Sequence, residues 1–361
     1  MLTVNGFWEV LPLPKGDVIC LHAFDGHLRL RLPHAAVSAA LLALADGADE
    51  TDVVEAAATR YGLAGRRAVE TAIRQLTEAG VLIRSVTPKS SYRSSVDLRY
   101  QALLDWLVLF SPEDGGAALF NKLRSSQALL IGLGGAGSTC AAMLTASGIG
   151  GLTLVDGDRV AFSNLTRQIF YTEQQAATGA YKVNALAEYL TALNSSVRID
   201  RAPTYISCVE DVRKLVPGHN LVILTADAPR ILLSRWVNSA CVAERCPFLY
   251  CFLGQVGPMF IPDRSPCFGC VEETWRQESG REYDEIVEAL QVRHTREFPS
   301  MVSGPVHVGE LLFTEAFAQL TGVYEPRSSN GTIRIGPGGE VFKPLRRHEC
   351  CAECAPLQHR S

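Results

Sequence analysis

Residues 131–144 read IGLGGAGSTCAAML, and this stretch decides the fold. An apolar run from Ala128 leads into three glycines spaced as G-x-G-x-x-G: Gly132, Gly134 and Gly137. Small and apolar residues follow at helical spacing, so the order is strand, tight turn, helix. The glycines let the backbone approach a phosphate. The helix start offers unpaired N–H groups and the positive end of a dipole. Such a turn fits the pyrophosphate of NAD and the phosphates of ATP alike, and a lone motif does not choose.

Outward from this turn, strand and helix patterns alternate. Strands are expected at 152–156, 197–202, 221–227, 248–253 and 258–262, and helices at 181–193 and 229–243. That alternation predicts an α/β fold with a doubly wound parallel, Rossmann-like sheet. Upstream, residues 7–12, 17–23 and 27–32 read as three short strands. Three helical segments follow at 34–47, 51–62 and 66–80, the second with Thr51 as its expected cap, and VLIR closes the unit. Residues 85–98, SVTPKSSYRSSVDL, are Ser-rich with little apolar periodicity and read as a linker. RYQALLDWLVLF, from Arg99, is an amphipathic helix. The expected organisation is a small domain over 1–85, a linker with leading helices over 86–124, and the glycine-motif domain over 125–361.

Bulk properties narrow the class. With 361 residues and 47% hydrophobic content, the chain is long enough for two or three domains. A formal net charge of −4 gives no basic footprint for nucleic acid. No secretory signal and no membrane-spanning stretch is evident, so a cytoplasmic location is expected.

The choice of nucleotide falls to LVDGDRVAFSNLTRQIF, residues 154–170, with Lys182 and Asp227 beyond it. Asp156 stands at a strand end about 20 residues past the glycines. There it suits ribose hydroxyls of either nucleotide, or simply caps a turn. ATP also brings a triphosphate and Mg²⁺, which call for cationic donors and a carboxylate for the metal. Asn164, Arg167, Lys182 and Asp227 supply those types, although each alone is an ordinary surface residue.

Taken in order, GLGGAG (132–137), LVDGD…SNLTRQ, YKVNAL (181–186) and TADAPR (225–230) resemble the nucleotide site of the E1-like, ThiF/MoeB-type adenylating superfamily, from about residue 125 to the C-terminus. The resemblance implies ATP–Mg²⁺ binding, attack by a carboxylate on the α-phosphate, an acyl-adenylate and departing pyrophosphate. It implies contacts from Gly132, Gly134, Gly135 and Gly137, and a ribose on Asp156. Asn164, Arg167 and Lys182 would handle ribose and phosphates, and Asp227 would serve Mg²⁺, with Arg167, Lys182 and Asp227 carrying catalysis. One departure stands out. Where the family often has RYxRQ, whose second Arg reaches the partner subunit's site, this chain has RYQALL, with Ala102 in that place. Either Arg99 or Arg93 substitutes, or the site works without this arginine.

The chain has 11 cysteines, and four form two C-x-x-C pairs, Cys267/Cys270 and Cys351/Cys354. Two such hooks suit one tetrahedral structural Zn²⁺, a disulfide being disfavoured in a reducing cytosol. The resemblance supports zinc. Cys350 is adjacent but lacks the spacing. No cysteine occurs from 271 to 349, where sulfur-transfer and ubiquitin-type members use one. The segment from Glu297 to Gly322 resembles the family's loop and interface helix, which implies a homodimer.

The order of elements in 1–85 resembles the PqqD-like, winged-helix domain that recognises precursor peptides, in which a leader adds as a strand. The matching elements here are 27–32 and 65–79. A recognition domain before an E1-like domain with four cysteines resembles microcin C-type and pantocin-type maturation enzymes. The expected function is ATP-dependent modification of a ribosomally made precursor peptide, by adenylation of a carboxylate or amide-derived group, leading to dehydration, cyclisation or nucleotide attachment. The rivals are a MoeB/ThiF-type sulfur-carrier adenylyltransferase and a non-catalytic scaffold presenting a leader peptide.

Overall fold

The computed structural model describes residues 2–5, 8–12, 18–22, 26–30, 34–84, 95–111, 116–252, 254–292, 300–336, 339–349 and 351–355. Contacts divide the chain into two units, residues 1–121 and 122–361.

In the N-terminal unit, strands β1 (Leu2–Val4), β2 (Trp8–Pro12), β3 (Val18–His22) and β4 (Gly26–Leu30) precede α1 (Ala35–Ala45). A helical span α2 (Glu50–Glu78) and strand β5 (Leu82–Arg84) follow. β2, β3 and β4 form an antiparallel sheet in sequence order, and β1 pairs with β5. β1 was not anticipated. The two helices expected after α1 are one span broken at Gly62, whose φ of 68° and ψ of −166° only glycine adopts readily. Its cap is Asp49, which accepts from the Thr51 N–H at 2.8 Å, so Thr51 lies inside the helix. Buried Val37, Leu41, Leu44, Val53, Val69, Ile73 and Leu76 pack against Leu2, Val18, Cys20 and Leu82. Helix α3 (Ser95–Leu107) completes this unit. The linker, except for its last residues, lies outside the described residues, as does Arg93.

The C-terminal unit begins within α4 (Ala117–Ser125) and is built on an eight-stranded sheet. Its strands are β6 (Gln127–Ile131), β7 (Gly151–Val155), β8 (Arg198–Ala202), β9 (Leu221–Leu224), β10 (Phe248–Phe252), β11 (Gln255–Val256), β12 (Gly331–Gly336) and β13 (Gly339–Pro344). They lie in the order β13-β12-β11-β10-β9-β6-β7-β8. The five from β10 to β8 are parallel, and β11 to β13 add antiparallel. β6 and β9 are nearly unbroken apolar runs because helices cover both faces. α5 (Gly135–Ala146), α7 (Lys182–Leu193) and α12 (Ser303–Thr321) pack on one face. On the other face α9 (Leu232–Ala243) and α10 (Phe268–Ser279) bury Leu129, Val222, Phe248, Tyr250 and Phe268. The remaining helices are α6 (Glu173–Thr178), α8 (Val209–Leu215) and α11 (Arg281–Val292).

Two strand expectations change. Residues 258–262 form no strand. Phe260 makes only an isolated bridge to Phe248, because the flanking Pro258 and Pro262 have no N–H to extend a ladder. The β12–β13 hairpin was not foreseen: β13 is exposed throughout, so no buried face imprints a period on it. Among the described residues, no helix is long and apolar enough to cross a membrane.

Candidate active site

A cavity of about 740 Å³ lies at the carboxyl ends of the parallel strands. This is where chain order reverses, with β7 to one side of β6 and β9 to the other, the position at which open α/β sheets bind ligands. Its floor is the turn between β6 and α5. Gly132 has φ 97°, and a Cβ there would overlap the Ala226 backbone, so only glycine fits. Four bonds pin the turn. Gly132 N–H donates to the Val155 carbonyl at 2.8 Å, and Thr225 Oγ1 donates to the Gly132 carbonyl at 2.6 Å. Leu133 N–H donates to Asp156 Oδ2 at 2.7 Å, and the buried Tyr171 hydroxyl donates to the Leu133 carbonyl at 2.7 Å. The N-terminus of α5 is thus held open towards the cavity.

The expected site residues do not all do the same job. Gly132, Gly134, Gly135, Asp156, Arg167, Lys182 and Asp227 line the cavity. Gly137 and Asn164 stand behind it. A Cβ on Gly137 would strike the Gly132 carbonyl and Thr225 Oγ1, so this glycine sets how closely α5 packs on the turn. Asn164 is buried, and its Oδ1 accepts from Ala161 N–H at 3.0 Å, shaping the loop that carries Arg167.

Asp156 follows β7 directly. Besides holding Leu133, its Oδ1 accepts from Asp158 N–H at 2.7 Å. Burial pushes its carboxyl above the ordinary value, against the pull of Lys182. Lys182 opens α7 and is only 5% exposed. Its Nζ donates to Asp158 Oδ2 at 2.8 Å, and the other carboxylate oxygen accepts from the Tyr205 hydroxyl at 2.8 Å. Burial alone would raise the Asp158 carboxyl, but the Lys182 bond and charge and the Tyr205 bond outweigh it and hold it low. Arg167 donates to the Ser163 carbonyl at 2.7 Å. Asp227 lies beyond β9, beside Cys251, whose thiol is pushed up to about 12 by burial and then by the Asp227 charge.

Asp158 and Tyr205 were not singled out in the sequence. Asp158 was in view, two residues past Asp156 in the same quoted stretch. Tyr205, in the loop after β8, carried no periodic or motif signal.

Cys267, Cys270, Cys351 and Cys354, none of which lines the cavity, converge, all four buried, with their sulfurs within 4.8 Å of one another. Cys267 and Cys351 are 3.6 Å apart, as are Cys270 and Cys354. A tetrahedron with Zn–S bonds of about 2.3 Å has edges of about 3.8 Å, so the donor set fits zinc. The neighbouring Cys267 and Cys270 sulfurs hold the Cys351 thiol below its ordinary value. Arg347 donates to Cys354 Sγ at 3.4 Å, and the His348 N–H to Cys270 Sγ at 3.4 Å. Such donors offset the negative charge of clustered thiolates. Cys350 lies outside the described residues.

A glycine-floored cavity at the switch point of a doubly wound sheet defines a Rossmann-like fold. The chain belongs to the ThiF family, whose model matches residues 107–350. It is 29% identical over 252 residues to the sulfur carrier protein ThiS adenylyltransferase of Bacillus subtilis, which spans 68% of this chain and 69% of that protein. Among solved structures it resembles Escherichia coli MccB with ATP, at a TM-score of 0.74 and 19% identity over 98% of this chain and 99% of that one. It also resembles PaaA, at a TM-score of 0.69 and 18% identity over 94% and 99%. At these identities the structural likeness shows the fold alone.

Proposed function

We propose that the chain is an ATP-dependent adenylating enzyme that modifies a ribosomally made precursor peptide. ATP supplies an electrophilic α-phosphorus and a pyrophosphate leaving group. An oxygen of a peptide carboxylate or amide-derived group attacks that phosphorus as the bond to pyrophosphate breaks. An internal nucleophile then displaces AMP, or the nucleotide stays attached. Gly134 and Gly135 bring N–H groups to the phosphates, Gly132 lets the phosphates approach the turn closely, and Asp156 offers its carboxylate to the ribose. Arg167 and Lys182 neutralise phosphate charge, and Asp227 provides a carboxylate for Mg²⁺. Catalysis on this reading is positioning and charge neutralisation in a preformed cradle.

The observation that carries the reading is the pinned turn, with cations and a carboxylate lining the same cavity. The peptide substrate is supported by the N-terminal unit. β4 is bonded only to β3 among the described residues, which leaves an edge for strand addition. Likeness to MccB, solved also with N-formylated MccA, points the same way. A structural Zn²⁺ on the four cysteines and a homodimer belong to the same proposal.

The test is mass spectrometry of short peptides encoded beside the gene, incubated with enzyme and Mg-ATP. Loss of water marks dehydration or cyclisation, and a gain of AMP mass marks nucleotidylation. Asp227→Ala and Arg167→Ala should abolish pyrophosphate release without unfolding the chain. The similarity to a ThiS adenylyltransferase favours a second reading, activation of a sulfur-carrier protein. Adenylation of a ThiS-type carrier with every peptide left unchanged would establish it instead.

A further inference from the structure

The loop after β8 places Tyr205 at the rim of the nucleotide cavity, 64% exposed. Two contacts fix it. Its ring lies flat over Gly157, where an added Cβ would come within 2.6 Å of three ring carbons. Its hydroxyl donates to Asp158 Oδ1 at 2.8 Å, and Asp158 is itself tied to Lys182. An exposed aromatic ring with a tethered hydroxyl is an ordered apolar surface facing an open cavity.

Strand order says what would lie on that surface. The strands run β9, β6, β7, β8 across the sheet, about 4.8 Å apart. Their ends carry, in the same order, Asp227, the glycine turn, Asp156 and Tyr205. A nucleotide with its ribose on Asp156 and its phosphates over the glycine turn towards Asp227 has one direction left for its base. That direction is towards β8. We propose that Tyr205 is the platform on which the base of the bound nucleotide stacks, held in place by its hydroxyl bond to Asp158. Gly157 is then glycine because any side chain would lift the ring. Tyr205 is a specificity residue rather than part of the phosphate machinery. The inference rests on the adenylation reading, and its test separates the two.

Calorimetric titrations of the full chain with Mg-ATP and with magnesium tripolyphosphate, which has the phosphates but no base, read the base contribution directly. Stacking a base on an aromatic ring is worth enough that Tyr205→Ala should weaken ATP about tenfold. Tripolyphosphate affinity should stay within about twofold. Tyr205→Phe keeps the ring and loses the tether, so it should recover most of the ATP affinity. Gly157→Ala should weaken ATP while leaving tripolyphosphate alone, through displacement of an intact ring. The proposal is overturned if Tyr205→Ala binds ATP like the wild type, or if it weakens both ligands equally. In either case the nucleotide reading stands, because the wild type still binds ATP. A wild type that binds neither ligand removes both.

Discussion

Two glycines of the same motif should fail in opposite ways when changed to alanine. At Gly137 the new Cβ lands 2.5 Å from Thr225 Oγ1 and closer still to the Gly132 carbonyl, where ordinary contact begins at 3.4 Å. Turn and helix must separate by about 1 Å, and the Thr225–Gly132 bond lies in the path. Overpacking of this kind costs ~1–3 kcal/mol, and the lost hydrogen bond adds about 1 kcal/mol. In a unit of this size, with ~2–4 °C per kcal/mol, Gly137→Ala should melt about 5–15 °C below wild type. At Gly134 the backbone has φ −68° and ψ −162°, and the nearest atom to an added Cβ is Gln168 Nε2 at 3.9 Å. An N-cap Gly→Ala change costs about 0.5–1 kcal/mol. Gly134 lines the cavity, however, and its methyl would stand where phosphate must approach the N–H groups of α5. Loss of one charge-assisted hydrogen bond, about 1.5–3 kcal/mol, should raise the KM for ATP about tenfold or more. Differential scanning calorimetry and a pyrophosphate-release assay on both variants make the comparison. A Gly137→Ala protein melting within a degree of wild type would refute the packing argument. A Gly134→Ala enzyme with wild-type KM would show that phosphate does not lie against this turn.

Purified protein should contain about one Zn²⁺ per chain with sulfur-only coordination by X-ray absorption, and Cys354→Ser should lower the melting temperature. Metal-free, fully stable protein would rule the centre out. The Asp158 carboxyl is held low, so its contribution is fully present above about pH 3.9, the unfolded value, and is lost as pH falls through the folded one. Its side chain is half exposed, which limits that contribution to about 1 kcal/mol. The melting-temperature gap between wild type and Asp158→Asn should therefore be widest above pH 5 and close towards pH 3. A gap that does not change with pH would exclude the ion pair as its source. Along β4, N–H groups point alternately towards and away from β3. Of Leu28→Pro and Arg29→Pro, one should abolish leader binding in a fluorescence anisotropy assay and the other should disturb the sheet. Undiminished binding in both would move the leader off this edge.

The central strands were visible in the sequence for the reason that buries them. Covered on both faces, β6 after Gln127 and β9 throughout have no polar positions to interrupt them. The five-strand parallel core and its glycine turn follow from that pattern. β13 was invisible for the complementary reason, since a strand exposed on both sides owes nothing to a core. Asp49 outcompetes Thr51 as a cap because it sits one residue before the helix, with its carboxylate free to reach back over the first turn. Within the candidate site, the motif signalled chemistry-bearing residue types without separating those that touch the cavity from those that build it. Gly137 and Asn164 belong with Tyr171, which the quoted motifs do not include and which pins the same turn.

That grouping bears on how the site works. A loop that presents N–H groups to a triphosphate repels itself electrostatically and would relax if left alone. Here Leu133 is held at both its N–H and its carbonyl, and Gly132 at both of its own. The ordering cost has been met in folding, by bonds within the protein. Asp156 takes part in this from the cavity side, because the carboxylate that would receive the ribose is also the anchor of Leu133. Asp156→Asn replaces one acceptor oxygen with an amide NH₂. If the amide nitrogen faces Leu133, two donors meet and the turn is released. If it faces Asp158, the same conflict arises there, because both oxygens already accept backbone N–H groups. No orientation of asparagine satisfies both bonds. The substitution should therefore damage phosphate binding as well as ribose binding, weakening tripolyphosphate together with ATP. A residue serving ribose alone would spare the tripolyphosphate.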